Sequence, residues 1–114
     1  MAHEIRQGTG LGIRLEQSAI PMRGSVRTVC EILGYDPLYL ACEGRAVIVV
    51  APDEAERSLA ICRAVEGGRE AAIIGAVHNG TPQQATSQQV IVETEFGGER
   101  ILEELEDDPL PRIC

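Results

Sequence analysis

Apolar residues recur in this chain at two periods, and the change of period marks its elements. Val26, Val29, Cys30 and Leu33 fall at i, i+3, i+4 and i+7. That spacing predicts a helix over 21–33 with one apolar stripe, stopped by Gly34. Ala55, Leu59, Cys62 and Val65 make a second stripe, which predicts a helix over 52–65. Pro52 suits its first turn, Asp53, Glu54 and Glu56 suit its positive end, and Gly67-Gly68 follows its last turn. Between these helices, Asp36-Pro37 predicts a short helical turn through Leu40, with Asp36 as the cap. Residues 1–7 have helical character without a start signal, and Gly8-Thr9-Gly10-Leu11-Gly12 breaks them. That glycine run lacks a preceding strand and the Lys-Ser/Thr pair of a phosphate loop, so it reads as a helix cap and turn.

The other segments follow strand patterns. Ile13-Arg14-Leu15 alternates around an arginine and predicts a short strand. Ala46 to Val50 is continuously apolar and β-branched after its first residue, which predicts a central strand covered on both faces. Ala71 to Val77 predicts a second central strand. With the helix between them, 46–77 would form a right-handed β-α-β unit. Val90 to Phe96 sets Val90, Val92, Thr94 and Phe96 against Ile91, Glu93 and Glu95, so one face is apolar and the other turns acidic. Gly97-Gly98 is a two-residue hairpin signal that would place Glu95 opposite Arg100 and Thr94 opposite Ile101. Residues 79–89 are polar and rich in glutamine, as a surface loop would be. The expected fold is α+β: a mixed sheet with helices packed on it.

Length and charge narrow the picture. The chain has 114 residues, which suits one domain with one core. We divide it into an α/β domain over 1–102 and an acidic linker with a flexible tail over 103–114. A formal charge of −8 argues against nucleic-acid binding and against an anionic membrane surface. No apolar run approaches the ~20 residues of a membrane span, and Met1-Ala2-His3-Glu4 does not read as a signal peptide. The four cysteines, Cys30, Cys42, Cys62 and Cys114, show no CxxC spacing and have no histidine nearby. The pattern argues against structural zinc or any other bound metal, and against a disulfide framework. It indicates a reduced, cytoplasmic protein. Cys30 and Cys62 lie on apolar stripes and read as core residues.

Two features carry candidate chemistry. The chain ends Asp108-Pro109-Leu110-Pro111-Arg112-Ile113-Cys114, a thiol behind two prolines and an acidic run. Proline favours extended geometry, so this stretch should be a stiff arm reaching about 20 Å at ~3.1 Å per residue. Leu110 and Ile113 would share one face of the arm, and Pro111 and Cys114 another. The tail reads either as a presented thiol or as a frayed end with an incidental cysteine. At an ordinary thiol pKa near 8.5, about 3% of such a cysteine is thiolate at neutral pH. The terminal carboxylate and the acidic run lower that fraction, and Arg112 raises it. The second feature is Glu43, in the polar loop Cys42-Glu43-Gly44 ahead of the apolar run. It can be a surface turn residue or a site carboxylate.

Several motifs converge on one family. They are Ile13-Arg14-Leu15-Glu16 with Ala19-Ile20-Pro21, Cys30-Glu31-Ile32-Leu33-Gly34-Tyr35-Asp36-Pro37-Leu38-Tyr39, Glu43-Gly44, Ala72-Ile73-Ile74-Gly75, Gly97-Gly98-Glu99-Arg100 and Leu110-Pro111-Arg112-Ile113-Cys114. Together they resemble the C-terminal domain of the HypE family, the hydrogenase-maturation carbamoyl dehydratases. That family lies within the superfamily of aminoimidazole ribonucleotide synthetase and selenophosphate synthetase. The middle motifs are shared loosely across the superfamily, and Pro-Arg-Ile-Cys is the specific one.

The resemblance implies that Cys114 accepts a carbamoyl group from a partner carbamoyltransferase. ATP-dependent dehydration then converts the thiocarbamate to a thiocyanate. The cyano group passes to iron on a scaffold complex, for nickel–iron hydrogenase. It implies that Glu43 is the carboxylate offered to the modified tail, and that Pro109, Pro111, Arg112 and Ile113 position it. ATP and magnesium belong, by the same resemblance, to an ATP-binding half absent from this chain. The chain alone should therefore bind no cofactor, and should carry the acceptor thiol without dehydrating it. Cys42 departs from the family, which usually has asparagine there. Two other readings stand beside this one: a stand-alone α/β protein-binding module with a silent tail cysteine, and a metal site using Cys114 with Cys42 or a histidine.

Overall fold

A computed structural model of the chain describes residues 1–79 and 89–104. It contains a mixed four-stranded sheet of β1 (Gly12–Glu16), β2 (Gly75–His78), β3 (Val90–Glu93) and β4 (Glu99–Ile101), in the order β2-β1-β3-β4. β1 runs antiparallel to β2 and parallel to β3, and β3 runs antiparallel to β4. The α-helices are α1 (Ala2–Thr9), α2 (Gly24–Leu33) and α3 (Ala55–Ala64). This is the α+β class expected from the sequence. The chain forms two compact units. Met1–Pro21 with Val47–Glu103 holds the sheet, α1 and α3, and Met22–Ala46 lies in the other, with α2. Among the described residues, no helix is long and apolar enough to cross a membrane.

The sheet is built around β3. Its register sets Val90 and Val92 beside Ile13 and Leu15 of β1, and the Leu102 N–H donates to the Val90 carbonyl at 2.8 Å. All five side chains are buried, and Val92 is 0% exposed. A parallel neighbour requires a long crossover, and the chain from Gln17 to Gln89 supplies it. Removing the two methyl groups of Val92 leaves a void that packed neighbours fill only in part. Val92→Ala should therefore cost about 2 kcal/mol of stability, read as a lower urea midpoint at unchanged slope.

Several local expectations need correction. Ala46–Val50 forms no strand, and Val47, Ile48, Val49 and Val50 are 39%, 65%, 54% and 39% exposed. β-branched residues favour a strand only where a neighbour pairs with them, and β1 already has β2 and β3 on its two sides. Residues 71–77 do not form a central strand either. β2 starts at Gly75 and lies at the edge of the sheet. β1 gives way at Gln17 to a 3-10 turn (Gln17–Ala19), so nothing remains for residues 71–73 to pair with, and the last bond is Glu16 N–H to the Ile74 carbonyl. The β-α-β unit over 46–77 is therefore absent.

The hairpin also differs. Only Gly97 of the Gly97-Gly98 pair has positive φ, at 79°, and a two-residue type I′ turn needs both. The loop instead has three residues, closed by Thr94 N–H to the Gly98 carbonyl at 2.7 Å and by Gly97 N–H to the Thr94 carbonyl at 3.0 Å. A side chain at position 97 would strain that backbone. The register becomes Glu93 opposite Glu99 and Val92 opposite Arg100, so Glu95 does not face Arg100. Phe96 sits at the loop tip, 99% exposed, rather than on the apolar face.

The helices follow their patterns more closely. α1 runs through Gly8 and Thr9 and ends at Gly10, whose N–H donates to the Arg6 carbonyl. α2 begins at Gly24 rather than at Pro21. Ile20 has no side chain that could cap a helix starting there, and Arg23 is still extended. Of its stripe only Cys30 is buried, while Val26, Val29 and Leu33 are exposed. A 3-10 turn (Pro52–Glu54) leads into α3, where Ala55, Leu59 and Cys62 are half-buried and Val65 lies exposed beyond the end.

Candidate functional site

The segment leading to Glu43 is specified residue by residue. α2 ends on Gly34, and the Tyr35 N–H donates back to the Cys30 carbonyl at 2.9 Å. Asp36 then caps a 3-10 turn (Pro37–Tyr39): its Oδ1 accepts from the Leu38 N–H at 3.0 Å, with Pro37 in the first position. This is the turn expected from Asp36-Pro37, and it packs against α2. The loop that follows bends at Glu43 and Gly44. Gly44 holds φ at +73°, where a side chain would be strained. Loop position therefore follows from a capped turn on one side and a glycine on the other.

Cys42 and Glu43 are both exposed. The Glu43 carboxylate makes no hydrogen bond or ion pair among the described residues. It is committed to no structural role and is open to a ligand or a second segment. Cys30, Cys42 and Cys62 are free thiols that are buried, exposed and half-buried respectively. No group of three His, Cys, Asp or Glu residues suited to a metal is present among the described residues. Cys114, Pro109, Pro111, Arg112 and Ile113 lie outside the described residues, as do 105–108 and most of the polar loop.

The sheet carries a charged cluster that the sequence pattern did not reveal. Arg14 Nη1 donates to Glu99 Oε1 at 2.6 Å and lies 3.8 Å from Glu93 Oε2. Glu93 and Glu99 are direct cross-strand partners, so Arg14 offsets a repulsion that the hairpin register creates. The hydrogen bond that Arg14 donates to Glu99, and then the Glu99 charge, raise the Arg14 pKa and keep the guanidinium cationic. Arg14, Glu16 and Glu93, with Ile73, Gly75 and Ala76, line a shallow cleft of about 270 Å³. Its charges are spent on one another, so the cluster ties β1 to the hairpin rather than offering a reactive group. The alternation around Arg14 was legible in the sequence, but its partners depended on the hairpin register.

Comparison with known proteins places this geometry. The family model described as AIR synthase related protein, C-terminal domain, matches residues 1–87. Carbamoyl dehydratase HypE of Azotobacter vinelandii is 44% identical over 112 residues, covering 98% of this chain and 31% of the relative. The HypE of Rhodobacter capsulatus is 45% identical over 115 residues, covering 98% of this chain and 32% of the relative. A crystal structure of hydrogenase maturation protein HypE superposes with a TM-score of 0.89 at 40% identity, covering 99% of this chain and 36% of that one. A HypE–HypF complex gives 0.80 at 36% identity, covering 91% of this chain and 32% of that one. A HypE in complex with ATP gives 0.85 at 38% identity, covering 95% and 32%. The chain thus spans about a third of the length of the relatives it matches.

Proposed function

The chain belongs to the family of AIR synthase related protein C-terminal domains, and from that premise we propose that it is the thiol-bearing domain of a hydrogenase-maturation carbamoyl dehydratase. The observation that carries this reading is the 44% identity to a carbamoyl dehydratase HypE along 98% of the chain. It is a domain of 1–102 followed by an acidic linker and tail over 103–114. Pro109, Pro111, Arg112 and Ile113 form the delivery arm, and Cys114 is the acceptor.

In this reading the Cys114 thiolate takes a carbamoyl group from a partner carbamoyltransferase and forms a thiocarbamate. Loss of the elements of water gives a thiocyanate: the carbon loses its oxygen and the nitrogen both its protons. Glu43 accepts one of those protons. The cyano group then passes to iron on a scaffold complex and becomes the cyanide ligand of a nickel–iron hydrogenase. A relative solved as a HypE–HypF complex supports a protein partner for the longer enzyme, and one solved with ATP supports its use of a nucleotide. ATP binding is not assigned to this domain. The glycines at the first helix end do not cradle phosphate, because Gly8 and Thr9 are helical and Gly10 is a cap. We assign ATP and magnesium to the part of the enzyme that this chain does not span, and the reaction to the reducing cytoplasm. Alone, the chain accepts a carbamoyl group and does not dehydrate it.

The test is mass spectrometry of the tail peptide after incubation with the carbamoyltransferase, carbamoyl phosphate and ATP. The expected result is one carbamoyl group on Cys114. An unmodified tail would instead favour a protein-binding module with a silent cysteine.

A further inference from the structure

The end of α3 leaves two arginines on an open cavity with donors to spare. Arg63, Ala64, Val65, Glu66, Gly67 and Arg69 line a concavity of about 720 Å³. The turn that shapes it is braced. The Gly68 N–H donates to the Val65 carbonyl at 3.1 Å, and the Ala71 N–H donates to the Gly68 carbonyl at 2.9 Å. Arg63 Nε donates to the Ala71 carbonyl at 2.9 Å. That bond orients the guanidinium and leaves its two Nη groups without a partner among the described residues. Arg69 makes no hydrogen bond or ion pair among the described residues, although Glu66 stands three positions before it. The N–H groups of Glu66 and Gly67 also lack a partner among the described residues. The negative end of a helix attracts cations, which accounts for Arg63 in the last turn of α3. It does not account for Arg69, which lies beyond the turn and bonds to no carbonyl among the described residues. Two guanidiniums and one carboxylate give the lining a net positive charge, on a chain whose formal charge is −8.

We propose that this cavity binds a phosphate group, free or as a small monoester, held between Arg63 and Arg69. A guanidinium is a planar fork that grips an oxyanion through paired N–H donors. A carboxylate has two oxygens and one charge, which a single fork satisfies. A phosphate monoester has three terminal oxygens and a charge of about −1.5 to −2 at neutral pH, so it engages both forks. The backbone N–H groups of Glu66 and Gly67 offer further donors on the same lining. Glu66 opposes any anion there. A monoanion therefore gains little, whereas the second charge of phosphate outweighs the one carboxylate. The side chains are exposed, so added salt screens the attraction. None of these residues has a part in the proposed carbamoyl chemistry.

The test titrates the isotope-labelled 114-residue chain with sodium phosphate and with glycerol phosphate at low ionic strength, following the amide resonances by NMR. The first probe is the free ion and the second an ester. Both should shift the Glu66 and Gly67 amides, with a dissociation constant on the order of 1 mM near neutral pH. Affinity for the ester should fall as the pH drops below about 6, where the second phosphate charge is lost. Arg69→Ala should weaken binding at least about tenfold at an unchanged melting temperature, since Arg69 has no partner among the described residues. Arg63→Lys keeps the charge but loses the fork, and should weaken binding too. Glu66→Gln should tighten it by roughly threefold or more. Arg57 pairs with Glu54 at 3.6 Å and does not line the cavity, so Arg57→Ala should leave the affinity as it was. The proposal is overturned if neither phosphate probe moves these amides, if Arg57→Ala weakens binding as much as Arg69→Ala, or if acetate at matched ionic strength binds as tightly as phosphate.

Discussion

Cys114→Ser should abolish carbamoyl capture, with a loss of about a thousand-fold or more in adduct formation. A thiol near its ordinary pKa presents about 3% thiolate at neutral pH, and a serine hydroxyl presents essentially no alkoxide there. In the proposed reading, the partner's activated carbamoyl group then meets no nucleophile at position 114. Nor do the other cysteines replace it. Cys30 is buried and Cys62 half-buried, and Cys42, though exposed, stands in the loop before Gly44 and not on the tail. The substitution swaps one atom at the last residue of the chain, so the melting curve should stay unchanged, and folding separates cleanly from chemistry. The check is intact mass after incubation with the carbamoyltransferase, carbamoyl phosphate and ATP. A carbamoyl adduct on the serine variant, at any residue and at the rate of the unaltered chain, would remove Cys114 from the reaction.

Elements set by local chemistry were legible in the sequence. Asp36-Pro37 fixed a 3-10 turn because a carboxylate cap and a proline both act within three residues, and Gly34 fixed the end of α2 for the same reason. Ile13-Arg14-Leu15 and Val90-Ile91-Val92 gave strands because each finds a neighbour. The run Ala46–Val50 has the stronger strand propensity and forms none. Propensity describes a residue's fit to a sheet, and pairing depends on which strands arrive beside it. The hairpin shows the same division. Two adjacent glycines signalled a turn, but its length depended on one backbone angle, the positive φ of Gly97. That angle moved the register, and with it the partners of Arg14 and Glu99.

The site was legible to the extent that its chemistry is local. Glu43 stands in an exposed loop, as a residue in Cys42-Glu43-Gly44 should. That it forms no ion pair among the described residues was not readable, because that depends on where Arg14, Arg45 and the other described cations point. The exposure of Cys42 was legible too, since it stands in the polar loop Cys42-Glu43-Gly44. Cys62 lies on the apolar stripe of α3 as expected, but is half-buried rather than a core residue.

Glu43→Gln should divide the reaction in two. Glutamine keeps the size of the side chain and its capacity to accept a hydrogen bond, but it does not take up a proton at neutral pH. In the proposed reading a partner enzyme carbamoylates a sulfur on the tail, and that step should proceed as before. Dehydration requires a proton to leave the carboxamide nitrogen as the carbon loses oxygen, and a positioned base contributes about 10²–10⁴-fold to such a step. The longer enzyme carrying this substitution should therefore accumulate thiocarbamate on its tail cysteine, with thiocyanate formation slowed by about that factor. Stability should change by less than about 0.5 kcal/mol, since the side chain is exposed and has no ion pair among the described residues, and the positive φ at Gly44 belongs to the glycine. Mass spectrometry reads both species from one sample, because they differ by one water. Thiocyanate at the normal rate would leave Glu43 as a surface residue of the turn. Loss of the carbamoyl adduct as well would assign it to docking the tail rather than to proton transfer.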